Sequence, residues 1–168
     1  MVKTPSKGVL LEQFDELNVV SLDKTRGNKQ FELTYEEYVE KITKQKLLYD
    51  DDNWDEGEIP QLVSDAYDRF KAKADEIGFK SDTTLVIETN KVAFVLKGGE
   101  RPKFVDICSL HEEPFVKITL NHNLLHRLLK GPRYAHWNNA EIGSHLHYVR
   151  QPNVYERGLH HSLCFLHQ

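Results

Sequence analysis

Histidine is the residue type in this chain that could support the widest range of chemistry, because imidazole binds transition metals and carries protons near neutral pH. The sequence contains nine histidines. His145 and His147 are separated by one residue, so on a β-strand both rings would lie on one face and could meet one metal ion. His122 and His126 are four residues apart and would share one face of a helix.

The residues around these pairs argue against a catalytic metal centre. Such a zinc site uses three protein ligands and an open position, usually with a carboxylate base nearby. No acidic residue lies between the paired histidines, and the sequence contains no His-Glu-x-x-His. Metallo-β-lactamase-fold hydrolases carry His-x-His-x-Asp-His, but here Tyr148, Val149 and Arg150 follow His147. We therefore predict no metal and no cofactor, with His145 and His147 as the candidate ligands if a metal is bound.

Other catalytic patterns are equally incomplete. Cys108 and Cys164 stand in no recognised nucleophile–base motif, and no serine stands in a Gly-x-Ser-x-Gly elbow. The Gly98-Gly99 pair is too short for a phosphate-binding loop and is typical of a tight turn. The acidic loop at residues 50–58 lacks the alternating ligands and central glycine of a calcium loop. We predict no catalytic residue in this chain.

Length and charge restrict the class of protein further. The chain has 168 residues and a formal net charge of −4. A mildly acidic chain lacks the basic surface that nucleic acid requires, so we predict no nucleic-acid partner. No run approaches the roughly 20 apolar residues that span a bilayer. Residues 1–8 lack the apolar core of a signal peptide, so we expect a cytoplasmic location.

The apolar pattern changes along the chain from helical to strand-like. Residues 1–30 are weakly patterned, and we interpret them as an extension or linker ahead of a single domain at 31–168. Thr34 and Glu37 form a capping box that predicts a helix. A second helix is predicted from Pro60 to about Ile77, because apolar residues recur there at helical spacing and Gly78 follows.

Five strands and two further helices are predicted beyond Gly78. Alternating apolar residues predict strands at 83–88, 92–97, 104–109, 115–120 and 144–150, the first two as a hairpin. A leucine-rich helix follows Asn121 or Asn123, and a short turn is predicted at residues 138–142. A last helix would be capped by Asn153 with Glu156. The order predicts an α+β fold with an antiparallel or mixed sheet of about five strands and helices packed on one face.

The leucine-rich helix is also the most prominent apolar feature. Its two leucine pairs could form an ordinary core, enclose a cavity for a lipid-like molecule, or mark a subunit contact. We predict that the ligand-binding or interface residues are Leu124, Leu125, Leu128, Leu129, Trp137 and Tyr148.

The order of these features resembles the sterol-carrier-protein-like domains. Strand 115–120 leads into the leucine-rich helix, which ends at Gly131, and Ala140 and Gly143 precede the last strand. The resemblance covers about residues 60–168. The spacing from Gly131 to Ala140 is longer than usual, and Gln151-Pro152-Asn153 replaces the Gly-Asp that follows the family's last strand.

The resemblance implies a non-catalytic accessory domain. Such domains act as lipid carriers or as C-terminal parts of larger enzymes, including metallo-β-lactamase-fold hydrolases, whose tails residues 136–144 resemble. The implied partners are a parent hydrolase domain or a second copy of the chain, and an apolar ligand is compatible with both. Two alternatives stay open: a small metal-dependent enzyme using a histidine cluster, or a protein-interaction module that binds through the acidic loop around Trp54.

Overall fold

The computed structural model describes residues 16–19, 31–106 and 114–168. Contacts divide this part of the chain after Leu48 into two units. In the first unit, strands β1 (Glu16–Val19) and β2 (Phe31–Thr34) pair antiparallel, and helix α1 (Tyr35–Thr43) follows. The predicted capping box is confirmed, because Thr34 and Glu37 exchange both hydrogen bonds. Strand β1 lies in the segment predicted as an extension.

The second unit contains a five-stranded sheet and four helices among the described residues. A 3-10 turn (Glu56–Glu58) precedes helix α2 (Ile59–Glu76). The strands are β3 (Thr84–Glu88), β4 (Ala93–Leu96), β5 (Lys103–Val105), β6 (Phe115–Leu120) and β7 (Leu146–Gln151). The later helices are α3 (His122–Leu129), α4 (Trp137–Ile142) and α5 (Arg157–Leu163).

The sheet is mixed, which is one of the two arrangements predicted from the sequence. Its strand order is β5-β4-β3-β6-β7, in which β3 and β6 run parallel and the other neighbours antiparallel. The predicted fold class, α+β with about five strands and helices, is therefore confirmed.

One face of this sheet carries the core of the second unit. Leu85 and Ile87 on β3 lie beside Val116 and Ile118 on β6, and all four are buried. The apolar stripe of α2 packs against them, as do the leucines of α3. Alternation along β6 thus selects the face, whereas β3 is buried along its whole length. The 3.6-residue periodicity of α2 selects the side of the helix that covers the sheet.

Three predicted elements differ from the structure. The segment after His136 is a helix, α4, where the sequence indicates only a turn. The last helix begins at Arg157 and not at Asn153, because the Glu156 carboxylate accepts hydrogen bonds from the hydroxyls of Ser81 and Thr83. Strand β5 covers residues 103–105 and ends before Asp106, and residues 107–109 of the predicted strand, with Cys108, lie outside the described residues.

Candidate functional site

The residues predicted to contact a ligand or partner lie largely inside the second unit. The side-chain oxygen of Asn121 caps α3 by accepting from the backbone N–H groups of Asn123 and Leu124, which fixes where the helix begins. The four predicted leucines and the predicted tryptophan are then all at most 5% exposed: Leu124, Leu125, Leu128, Leu129 and Trp137. Their role in binding stays a prediction, and in this fold they form core.

Trp137 and Tyr148 differ in how their polar groups are satisfied. The Trp137 indole N–H donates to the Leu166 carbonyl at 2.9 Å, which joins α4 to the end of the described chain. Tyr148 on β7 is half-buried, and its hydroxyl is enclosed with no hydrogen-bond partner among the described residues. Burial, reinforced by the charge of Glu141, raises the pKa of Tyr148 far above its usual value.

The candidate metal ligands His145 and His147 have separate surroundings. The His145 ring is hydrogen-bonded through Nδ1 to the Tyr49 hydroxyl at 2.9 Å and lies against Gly143, where a Cβ would overlap it. His147 is exposed on β7. Across residues 16–19, 31–106 and 114–168, no group of three or more His, Cys, Asp or Glu side chains is placed to hold a metal ion.

A pocket of about 440 Å³ opens between α2, the segment leading into β3, and the turn after β4. Aromatic and aliphatic side chains are the largest group in its wall, and charged side chains are the next largest. The apolar lining consists of Tyr67, Phe70, Ala74, Phe79, Leu85, Leu96 and Leu159, and the charged lining of Lys71, Asp75, Lys80, Asp82 and Lys97. None of the residues predicted from the leucine-rich helix lines it.

Two tight turns shape the pocket. Helix α2 ends before Gly78, whose φ of +65° reverses the chain so that Phe79 comes back beside the helix. Gly98 and Gly99 have φ values of +55° and +80°, and the Glu100 N–H donates to the Lys97 carbonyl at 2.9 Å. Two successive positive φ values make this a type I′ turn, which accounts for the glycine pair.

Helix α5 supplies the remaining wall through Leu159. The Glu156 carboxylate accepts from Ser81 at 2.9 Å and from Thr83 at 3.0 Å, and this holds the start of α5 beside the entry to β3. Gly158 then packs directly against the Phe79 ring. Sequence reasoning missed the pocket because its walls come from distant segments. The available signal was Phe70 and Phe79 at the C-terminal end of the α2 stripe.

A second cluster of polar groups surrounds the start of α3. His122 and His126 are both buried, with ring centroids 5.1 Å apart and the rings nearly perpendicular. Trp54 stacks on His126 at 6.0 Å, and the Lys130 ammonium lies 4.9 Å from the Trp54 ring. Trp54, the predicted interaction residue, is therefore half-buried and engaged within the second unit.

An ion pair holds the acidic loop against α3 beside this cluster. The guanidinium of Arg127 donates to both carboxylate oxygens of Asp52, with 2.9 Å between Nη2 and Oδ1. That hydrogen bonding lowers the pKa of Asp52. The Asp52 carboxylate also accepts from the Trp54 indole N–H at 3.1 Å, so one acid fixes both the loop and the ring.

His160 on α5 occupies a third environment, formed largely by aromatic rings. It stacks on Tyr155 at 4.4 Å, and Tyr148 lies 5.6 Å away. Burial lowers the pKa of His160, and the nearby carboxylate of Glu141 only partly opposes this. The neutral imidazole is therefore the form that the fold favours.

Acidification should destabilise the fold through His160. Its folded-state pKa lies below the unfolded value of about 6.5, so the unfolded chain takes up the proton first. The stabilisation is complete above pH 6.5 and is lost as the pH falls below that value. Urea unfolding between pH 7.5 and 5 measures how steeply the free energy of unfolding falls with pH. His160→Gln should reduce that slope by up to about 1.4 kcal/mol per pH unit. The exposed neighbour variant His161→Gln should keep the wild-type slope, and equal slopes in all three proteins would contradict the assignment.

Comparison of the chain with known protein families, curated proteins and solved structures finds no match. Among the described helices, none combines the length and the apolar character needed to cross a membrane.

Proposed function

We propose that this chain is a non-catalytic accessory domain that binds an apolar or lipid-like ligand in the α2–β3 pocket. The observation that carries the proposal is the pocket itself. Its volume of about 440 Å³ falls within the roughly 300–1,000 Å³ typical of small-molecule sites. Aromatic and aliphatic side chains are the largest group in its wall, which favours a ligand with an apolar body.

The charged side chains suggest how such a ligand is oriented. Lys80 and Lys97 are exposed members of the lining, whereas the third lysine, Lys71, is paired with Asp75 at 3.0 Å. An apolar ligand would bury its body against Phe70, and a polar end would lie near these lysines in water. This arrangement fits an amphipathic molecule better than a purely hydrocarbon one.

The proposed setting is a larger metallohydrolase, with the parent hydrolase domain or a second copy of the chain as partner. The five-stranded mixed sheet with helices is compatible with the sterol-carrier-like resemblance that suggested this setting. Exposed apolar side chains available for docking include Ile142 at 83%, Val154 at 58% and Tyr155 at 60%.

Filling the pocket tests the ligand proposal. Ala74 on α2 lines the pocket, whereas Ala72 on the same helix is exposed and does not. We expect Ala74→Trp to weaken binding of a fluorescent long-chain fatty acid at least tenfold, because the indole occupies the ligand volume. Ala72→Trp should bind like the wild-type protein, and mass spectrometry of organic extracts should find lipid only with wild type and Ala72→Trp.

Two outcomes would reject the proposal. One is a wild-type protein that neither carries extractable lipid nor binds the fatty acid. The other is an Ala74→Trp protein, shown by circular dichroism to be folded, that binds with unchanged affinity.

A further inference from the structure

We propose that the ligand of the α2–β3 pocket is an anionic amphiphile of the long-chain carboxylate type, whose head group is bound by the ammonium groups of Lys80 and Lys97. This inference rests on the proposed function and narrows it from an apolar ligand to one that carries a negative charge. Both lysines are exposed members of the pocket lining.

The pairing of the lysines in the second unit is the first observation. That unit, Tyr49–Gln168, contains eight lysines, and the structure describes all of them. Six of the eight are in ion pairs with an aspartate or a glutamate: Lys71, Lys73, Lys91, Lys103, Lys117 and Lys130. Lys80 and Lys97 have no such partner among the described residues. The two ammonium groups left without a carboxylate therefore both belong to the wall of the pocket.

Both lysines stand at one end of the β3–β4 hairpin. Leu96, the last residue of β4, is paired with Leu85 near the start of β3, and Lys97 follows it. Lys80 lies in the segment that leads into β3, five residues before Leu85. Lysine has a long and flexible stem, so both ammonium groups can turn toward one head group at this end of the pocket.

The other polar side chains of the wall are already engaged, with one exception. The hydroxyls of Ser81 and Thr83 donate to the Glu156 carboxylate, and the lysine of α2 is closed by its pair with the aspartate one turn later. Asp82 is the exception, and it is exposed. The polar groups that remain for a ligand are thus two ammonium groups and one carboxylate.

The charge that favours an anion is local to the pocket. The chain as a whole has a formal net charge of −4, which disfavours anionic ligands. The unpaired part of the wall, with two lysines and one aspartate, has a charge of +1. The charge of Lys97 also reaches Glu100, but that carboxylate is ion-paired with Lys103. A preference for an anionic ligand would therefore have to come from Lys80 and Lys97.

Three ligands with the same twelve-carbon chain test the proposal, because dodecanoate, dodecanol and dodecylammonium differ in the charge of the head group. We expect the wild-type full chain at pH 7.5 and low salt to bind dodecanoate at least about threefold tighter than dodecanol, and dodecylammonium more weakly than dodecanol. A purely apolar pocket would prefer dodecanol to dodecanoate, since an ionised carboxylate costs more to remove from water than a hydroxyl. Displacement of Nile red, an uncharged dye, measures the three affinities.

Lysine variants locate the source of the preference. Lys80→Met and Lys97→Met keep an apolar stem and remove the charge, so each should reduce the preference for dodecanoate. The double variant should bind dodecanoate no tighter than dodecanol and should keep its affinity for dodecanol. Lys41→Met removes an exposed lysine that does not line the pocket, and it should retain the wild-type preference. Ala74→Trp should weaken the binding of both ligands, because they share one volume.

The outcomes separate this inference from the proposed function. Equal affinity of the wild-type chain for dodecanoate and dodecanol would overturn the inference and leave the proposed function standing. A preference for dodecanoate that persists in the double variant, or that is unaffected by Ala74→Trp, would also overturn it, since the anion would then be bound elsewhere. Failure of all three ligands to bind would overturn both. The substituted lysines are exposed, so the variants should fold, and circular dichroism checks this.

Discussion

Replacement of Trp137 by alanine is expected to lower the free energy of unfolding of the second unit by about 3–5 kcal/mol. Trp137 is 2% exposed and is among the largest fully enclosed side chains of the described chain. Truncation leaves a cavity that the surrounding core cannot fully close. It also removes the donor to the Leu166 carbonyl, which loses its 2.9 Å hydrogen bond. A loss of this size is a large fraction of the total stability of a small domain.

Helix α4 provides the matched control. Ile142 stands at the other end of the same helix and is 83% exposed. Ile142→Ala should change the free energy of unfolding by no more than about 0.5 kcal/mol. Urea denaturation followed by circular dichroism measures both variants. Equal, small effects would show that Trp137 contributes little to the core and would favour the contact role predicted from the sequence.

Local patterns predicted most of the second unit because they depend on residues close in the chain. The stripe from Pro60 to Ile77, followed by a helix-ending glycine, corresponds to α2 within one residue at each end. Alternation at 115–120 predicted β6 at its observed bounds. Each of these signals arises from one face of one element, so no knowledge of neighbouring elements was needed.

The last helix could not be placed in this way. Asn153 and Glu156 have the spacing of a capping box, but the Glu156 carboxylate is used by Ser81 and Thr83 instead. Those partners are more than 70 residues away in the sequence. A local rule fails here because a tertiary hydrogen bond competes for the same oxygen atoms.

The same limitation applies to the candidate sites. A leucine-rich face has one sequence pattern whether it packs in a core or lines a cavity, and α3 packs in the core. The pocket joins Phe70, Phe79 and Leu159, which only the fold brings together. The His122–His126 spacing was visible in the sequence. Its enclosure by Trp54 and its hydrogen bond to Thr89 were not, because both partners come from other segments.

The contact between α5 and the pocket wall gives the second prediction. Gly158→Ala is expected to lower the free energy of unfolding by about 1–3 kcal/mol, the usual cost of overpacking. A Cβ at this position would lie under 3 Å from three carbons of the Phe79 ring. The better helix propensity of alanine, up to about 1 kcal/mol, does not offset such an overlap. Because Phe79 lines the pocket, its displacement should also weaken fatty-acid binding.

A double-mutant cycle separates steric overlap from a backbone requirement. If the Phe79 ring is the cause, Gly158→Ala should cost little or become stabilising in a Phe79→Ala background, with a coupling energy of at least about 1 kcal/mol. Phe79→Ala alone has its own cavity cost, so the cycle compares differences and not absolute stabilities. Urea denaturation of the four proteins measures the coupling. If the two substitutions are additive, the close packing of α5 on Phe79 is absent, and the pocket would lose the wall that Leu159 supplies.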